Sequence, residues 1–211
     1  MRRADLPGFT LVEIMVYMTL LVLILGSSMV VMLMANRFFK STLDNNAVQR
    51  EAQTTMLRLS RELEESKRGL VKLNTENETP GVVFISPRND KGEYVYDYSG
   101  DGELFWQKWA CYYVGPGPDG DARLYRGERS LGAAAIAPEA TTLTILDFHT
   151  DSERRETVAN DLISFEIAAD IATADTYNIR ASFGREGRTN NTDGDRMAEK
   201  VDLETSVHLR N

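Results

Sequence analysis

Residues 9–35 read FTLVEIMVYMTLLVLILGSSMVVMLMA, 27 residues that carry a single charge, Glu13. A helix needs about 20 apolar residues to cross a bilayer. At a rise of ~1.5 Å per residue this stretch would run about 40 Å. That exceeds a hydrocarbon core of about 30 Å, so the reading predicts tilt or emergence of one end. A cleaved secretory signal has an apolar core of about 7–15 residues followed by a small-x-small site. Here the run is longer, Leu33-Met34-Ala35 is a poor site, and an acid stands inside the run. A carboxylate in a bilayer costs a few kcal/mol and usually marks a function. Glu13 lies near the start of the helix, where the macrodipole favours negative charge. One reading makes it a helix-terminal acid that snorkels to the interface; the other makes it an acid that meets a cation brought by a partner.

Helical spacing continues beyond the apolar block. Phe39, Leu43 and Ala47 follow at i, i+4, i+8, and Met56, Leu59 and Leu63 at i, i+3, i+7, with Arg50, Glu51, Arg58, Arg61, Glu62, Glu64 and Glu65 among them. This is an apolar stripe beside a charged face. No Pro interrupts residues 9–68, and Gly69 after Lys67-Arg68 reads as a helix stop with cations at the negative end of the dipole. The prediction is one helix over residues 10–68, near 90 Å long at ~1.5 Å per residue. Gly26-Ser27-Ser28 is its weak point. It reads either as a small patch for close helix packing or as a place where the helix stretches or melts.

After Gly69 the period shifts toward two. Val82-Val83-Phe84-Ile85, Tyr94-Val95-Tyr96-Asp97-Tyr98, the aromatic run LFWQKWACYYV at 104–114 and Ala122-Arg123-Leu124-Tyr125-Arg126 read as strands. The turn Gly115-Pro116-Gly117-Pro118-Asp119-Gly120 separates the last two as a hairpin. Residues 143–148, 162–167, 177–183 and 201–209 are further strand candidates, with a polar loop, GRTNNTDGDR, at 187–196. A long N-terminal helix followed by strands without long intervening helices predicts an α+β fold with a mainly antiparallel sheet covered by the amphipathic half of the helix. The expected organisation is residues 1–8, a spanning segment at 9–35, its amphipathic continuation at 36–69, and a β-rich globular part at 70–211.

Composition bounds the function. Of 211 residues 42 % are apolar and 27 % charged, an ordinary globular mix. The net charge is −8, and since Arg2, Arg3, Asp5 and Glu13 cancel, all of it falls after residue 35. An acidic chain without basic runs is a poor match for nucleic acid. The single Cys111 excludes an intramolecular disulfide, and two distant histidines, His149 and His208, leave little room for a zinc enzyme. Ser–His–Asp arrangements, phosphate-cradling glycine loops and paired-His motifs are missing from the sequence, so no catalytic residue and no cofactor is expected. Trp106, Trp109, Tyr112 and Tyr113 could form a stacking platform, although aromatics in strands are usually core. The acidic groups Asp97–Asp101–Glu103, Asp119–Asp121 and Asp193–Asp195 lack EF-hand spacing and read first as solvated turns. Asp193 and Asp195 are the weak calcium candidates.

Gly8-Phe9-Thr10-Leu11-Val12-Glu13, preceded by the basic Arg2-Arg3, resembles the processing site of type IV prepilins and pseudopilins. That family has a short basic leader, then Gly, an aromatic residue, and an apolar run with Glu at the fifth mature position. The resemblance implies cleavage between Gly8 and Phe9 by a membrane prepilin peptidase, N-methylation of Phe9, and pairing of Glu13 with the N-terminal ammonium of a neighbouring subunit. It implies a pilin fold, most like PilW-type minor pilins or the J-type pseudopilins of type II secretion. It also implies partners: a major pilin, other minor pilins, an inner-membrane assembly platform and a cytoplasmic ATPase motor. Physical reasoning accords with the pattern. Glycine puts no side chain beside the bond to be cut, and an ammonium and a carboxylate buried together offset costs that either alone would incur. Arg2 and Arg3 flank one side of the span and Arg37 and Lys40 the other, so loop charge does not orient it; the cytoplasmic leader and periplasmic C-terminal part follow from the resemblance. The function it implies is a minor pilin that primes or tips a pilus. The alternatives are a type II secretion pseudopilin and a membrane-tethered periplasmic binding module that keeps its leader.

Overall fold

The computed structural model describes residues 10–74, 79–98, 101–151, 154–173, 175–185 and 199–210. Two units result, one ending at Asn46 and the other beginning at Ala47. The first helix, α1 (Leu11–Glu64), contributes residues to both and is helical through Gly26. Ser27 and Ser28 each donate a hydroxyl hydrogen bond to the Ile24 carbonyl, at 2.9 and 2.8 Å, within the turn that Gly26 weakens.

The helix ends four residues before the predicted Arg68. Ser66 N–H bonds Leu63 C=O at 3.0 Å, an i to i−3 contact that tightens the last turn. Gly69 (φ +74°) belongs to a separate turn closed by Leu70 N–H to Lys67 C=O at 3.2 Å.

In the second unit two antiparallel sheets form. The larger runs β1 (Lys72–Asn74), β2 (Gly81–Ser86), β3 (Trp106–Pro116), β4 (Ala122–Ala135) and β5 (Arg154–Ala159), in that spatial order. The smaller runs β6 (Leu162–Ala169), β7 (Thr176–Arg185), β8 (Glu199–His208). A short helix, α2 (Ile145–Asp151), lies between β4 and β5. The architecture is thus α+β with antiparallel pairing throughout.

Alternation along the strands divides the larger sheet into two buried faces. Val82, Phe84, Ala110, Tyr112 and Leu124 join Ala52, Met56, Leu59 and Leu63 of α1 and Phe165, Ile167, Ile179 and Phe183 of the smaller sheet. Val83, Ile85, Cys111, Tyr113 and Tyr125 form a second core with Ile145 and Phe148 of α2. Cover on both faces explains why 82–85 is a continuous apolar run: every residue of β2 is buried. The register jumps between Trp106↔Ala135 and Lys108↔Ser130. This irregularity lets Trp106 and Trp109, an odd number of residues apart, share the second core.

Two of the expected strands differ from the structure. Residues 143–148 do not form a strand: Thr144 caps α2, its backbone N–H and hydroxyl donating to the Asp147 carboxylate at 2.6 and 2.8 Å. Ile145 and Phe148, three apart, face inward while Leu146 is exposed, a helical period. Residues 94–98 make isolated bridges, Arg88↔Tyr94 and Tyr96↔Leu104, in place of a strand.

Candidate functional site

Among the described residues the one extended apolar surface is the N-terminal part of α1. Every apolar side chain larger than alanine from Leu11 to Met34 is half or more exposed. This helix is long and apolar enough to cross a membrane by length and composition, and none of that apolar stretch is buried within the chain. A surface of this size on a water-soluble monomer would be far outside the usual range of exposed patches.

Three of its hydroxyls are satisfied locally. Thr19 donates to Met15 C=O at 2.8 Å, as Ser27 and Ser28 do to Ile24. Turned back onto the helix, these hydroxyls satisfy their donors without help from an apolar surrounding.

Glu13 forms a capping box at the start of α1. Thr10 is the N-cap: its C=O accepts from Ile14 N–H at 3.2 Å and its hydroxyl oxygen accepts from Glu13 N–H at 3.3 Å. The Glu13 carboxylate accepts in return from Thr10 N–H at 3.2 Å and from the Thr10 hydroxyl at 3.1 Å. The sequence reading starts the helix at Thr10 with Glu13 in its first turn but does not identify Thr10 as the cap. The signal was there as Thr10-Leu11-Val12-Glu13, the T-x-x-E pattern of a capping box. Gly8 and Phe9, the predicted processing residues, lie outside the described residues, as do Asp193 and Asp195.

The other candidates are accounted for by packing. Trp106, Trp109, Tyr112 and Tyr113 are buried, so they build core and offer no platform. Cys111 is buried, and burial pushes its thiol well above the ordinary range. His149 lies in α2, its ring 5.9 Å from that of Tyr113, and His208 Nδ1 is 3.0 Å from the Thr176 hydroxyl. Asp121 and Asp119 are both directed to Arg123, at 2.7 and 3.8 Å. No group of three or more potential ligands able to hold a metal occurs among the described residues.

A charged network links the C-terminal part of α1 to the larger sheet. Arg58 grips Glu156 with two bonds of 3.1 and 2.9 Å and also pairs with Glu62. Glu62 accepts from Arg126 at 2.8 Å, Arg126 contacts Glu128, and Glu128 pairs with Lys108 at 2.9 Å. Burial alone would raise the Glu128 carboxyl, but Arg126 and Lys108 outweigh it and hold it below the usual carboxylate range. Glu65 shows the same balance: burial raises it, and the hydrogen bonds from Arg88 at 2.6 and 2.7 Å bring it below. The pairs that join α1 and Glu65 to the rest of the fold, Arg58–Glu156, Glu62–Arg126 and Glu65–Arg88, are 98, 64 and 23 residues apart, so no local pattern announces them. No family model, no curated protein sequence and no solved structure matches the chain.

Proposed function

We propose that the chain is a minor type IV pilin, a structural subunit with a pilin fold that helps prime or tip a pilus. In this reading prepilin peptidase cuts between Gly8 and Phe9 and N-methylates Phe9. The 9–35 segment then passes from the bacterial inner membrane into the filament core, with the acidic globular part in the periplasm. The observation that carries the proposal is the unburied apolar part of α1, headed by a single acid, joined without a break to a half that packs on antiparallel sheets. Such a helix needs an apolar surrounding that the rest of its own chain does not supply, and either a bilayer or like helices provide one. As an assembly subunit it runs no reaction of its own. Its partners are the peptidase, a major pilin, other minor pilins and the inner-membrane assembly platform.

The test is mass spectrometry of the protein purified from its host. The expected mature N-terminus is N-methylated Phe9, and Gly8→Trp is expected to block the cut. A protein that keeps residues 1–8 overturns the proposal and favours a tethered binding module.

A further inference from the structure

The connection from β2 to β3 folds back on itself. Asp97 N–H donates to Glu103 C=O and Phe105 N–H to Val95 C=O, both at 2.8 Å. Arg88 fastens this excursion to the end of α1. Its Nε and Nη2 grip the Glu65 carboxylate, its Nη1 donates to Gly92 C=O at 2.6 Å, and its guanidinium lies 4.4 Å over the centre of the Tyr94 ring. Nη2 also bonds the Tyr94 hydroxyl at 3.0 Å. Tyr94 is thereby held in one orientation before any ligand arrives, which removes an ordering cost from binding.

Beside it stands Tyr96, the two ring centres 6.3 Å apart and tilted by 42°. The pair lines a cavity of about 570 Å³ with Arg61, Glu64, Leu104 and Arg210. Tyr94 is 38 % exposed and Tyr96 42 %, whereas the aromatics of β3 are buried, so among the described residues this is where accessible tyrosine rings and a cavity coincide. The volume falls within the usual range of about 300–1,000 Å³ for small-molecule sites.

The charge of the lining selects the ligand class. Arg61 pairs with Glu65 at 3.4 Å and Arg210 with Glu64 at 3.0 Å, two cations against two carboxylates. The charges of the lining itself balance, with Arg88 outside it bound to Glu65 and Tyr94, and the lining is dense in donors and acceptors around aromatic faces. An ionic ligand gains nothing from a balanced rim, and a wholly apolar one would strip water from four ionic groups without replacing their bonds. A molecule with flat C–H faces edged by hydroxyls meets both halves of the lining. We propose that the Tyr94–Tyr96 cavity is a binding site for a neutral saccharide, the sugar's C–H face lying on Tyr96 and its hydroxyls bonding Glu64, Arg61 and Arg210. The assignment concerns residues of the second unit alone and does not rest on the fate of the N-terminal segment.

The experiment uses the full chain in an amine-oxide detergent, which has no sugar headgroup. Glucose, galactose, mannose, N-acetylglucosamine and their disaccharides are screened by saturation-transfer NMR, with glucosamine and N-acetylneuraminic acid as cationic and anionic counterparts. At least one neutral sugar is expected to bind at millimolar strength. Tyr96→Ala is expected to weaken it about tenfold while Tyr96→Phe stays within about threefold, since the ring face and not the hydroxyl carries the stacking. Tyr98→Ala, outside the cavity, is expected to change nothing, and near-ultraviolet dichroism checks that each variant is folded. Three results would overturn the proposal: no neutral sugar binds up to tens of millimolar, a folded Tyr96→Ala binds as wild type does, or either charged sugar binds better than its neutral relatives.

Discussion

Leu23 and Leu59 are the same residue in the same helix, yet Leu23 is 64 % exposed and Leu59 is 0 % exposed. Around Leu23 the helix is apolar on every side and touches nothing that buries it. Around Leu59 it is amphipathic: Ala52, Thr55, Met56, Leu59 and Leu63 turn inward, and Arg58, Glu62 and Glu65 reach sideways to ionic partners. The two parts therefore draw their stabilisation from different sources. For 52–63 it is the chain's own sheets; for 11–34 it has to be an apolar phase from outside, because propensity alone leaves an isolated helix marginal in water.

The widest gap between the two parts is expected from truncating each leucine. Leu59→Ala opens a cavity in the core shared by α1 and both sheets and is expected to destabilise the second unit by about 2–5 kcal/mol. Leu23→Ala is expected to stay within about 0.5 kcal/mol in the same measurement. Denaturant unfolding of the detergent-solubilised chain, followed by near-ultraviolet dichroism of the buried Trp106 and Trp109, reads both. Similar losses from the two substitutions would show that the parts do not differ in this way.

A second, smaller effect sharpens what holds the packed part. The carboxyl groups of Glu65, Glu128 and Glu156 are held below their ordinary value of 4.5 by arginine partners, joined for Glu128 by Lys108. A carboxyl lowered in the folded state adds stability above its unfolded pKa and loses it as pH falls through the folded value. Stability of the second unit is thus expected to decline below about pH 4.5. Arg88→Gln leaves Glu65 largely buried without its bidentate partner, a cost of about 1–3 kcal/mol at pH 7. Because burial alone raises the Glu65 carboxyl, the variant is also expected to lose less on acidification than wild type, while Glu128 and Glu156 keep part of the slope. Unfolding curves at pH 7 and pH 4 test both halves of this expectation; an unchanged acid response would remove Glu65 from the account.

Features carried by local pattern were legible in the sequence, and those made by distant pairing were not. The long helix shows as unbroken apolar and then amphipathic spacing, and the β3–β4 hairpin shows through its Gly-Pro turn. Two strands escaped notice. β1 is only three residues long, and β5, Arg-Arg-Glu-Thr-Val-Ala, is too charged to look like a strand until Arg58 meets Glu156. Residues 143–148 misled because an apolar run of that length suits a buried strand as well as a short helix, and the capping pair Thr144 and Asp147 decides between them. The aromatic run at 104–114 is core because both faces of the sheet are covered, which no single strand can announce. Tyr94 and Tyr96 line a cavity with Arg61, Glu64 and Arg210, brought from the end of α1 and from the residues after β8.

The smallest effect on stability belongs to Glu13, where two roles share one side chain. The capping box uses its carboxylate as a hydrogen-bond acceptor for the Thr10 backbone and hydroxyl, and a glutamine can fill the same place. Pairing with a neighbouring subunit's ammonium, which the resemblance to prepilins implies, needs the negative charge itself. Glu13→Gln therefore separates the roles. It is expected to keep the start of α1 within about 0.5 kcal/mol of wild type, because the cap geometry survives. Membrane insertion and cleavage should also be unimpaired, since a charge has been removed from the span. Yet recovery with sheared filaments and cross-links to other minor pilins should fall severalfold, because an ammonium brought into low dielectric then meets only a neutral amide. Glu13→Ala adds loss of the cap to loss of the charge, and amide exchange at residues 10–14 should reveal the fraying that Glu13→Gln avoids. If Glu13→Gln assembles as wild type does while Glu13→Ala does not, capping is the whole role of the acid and the pairing is refuted.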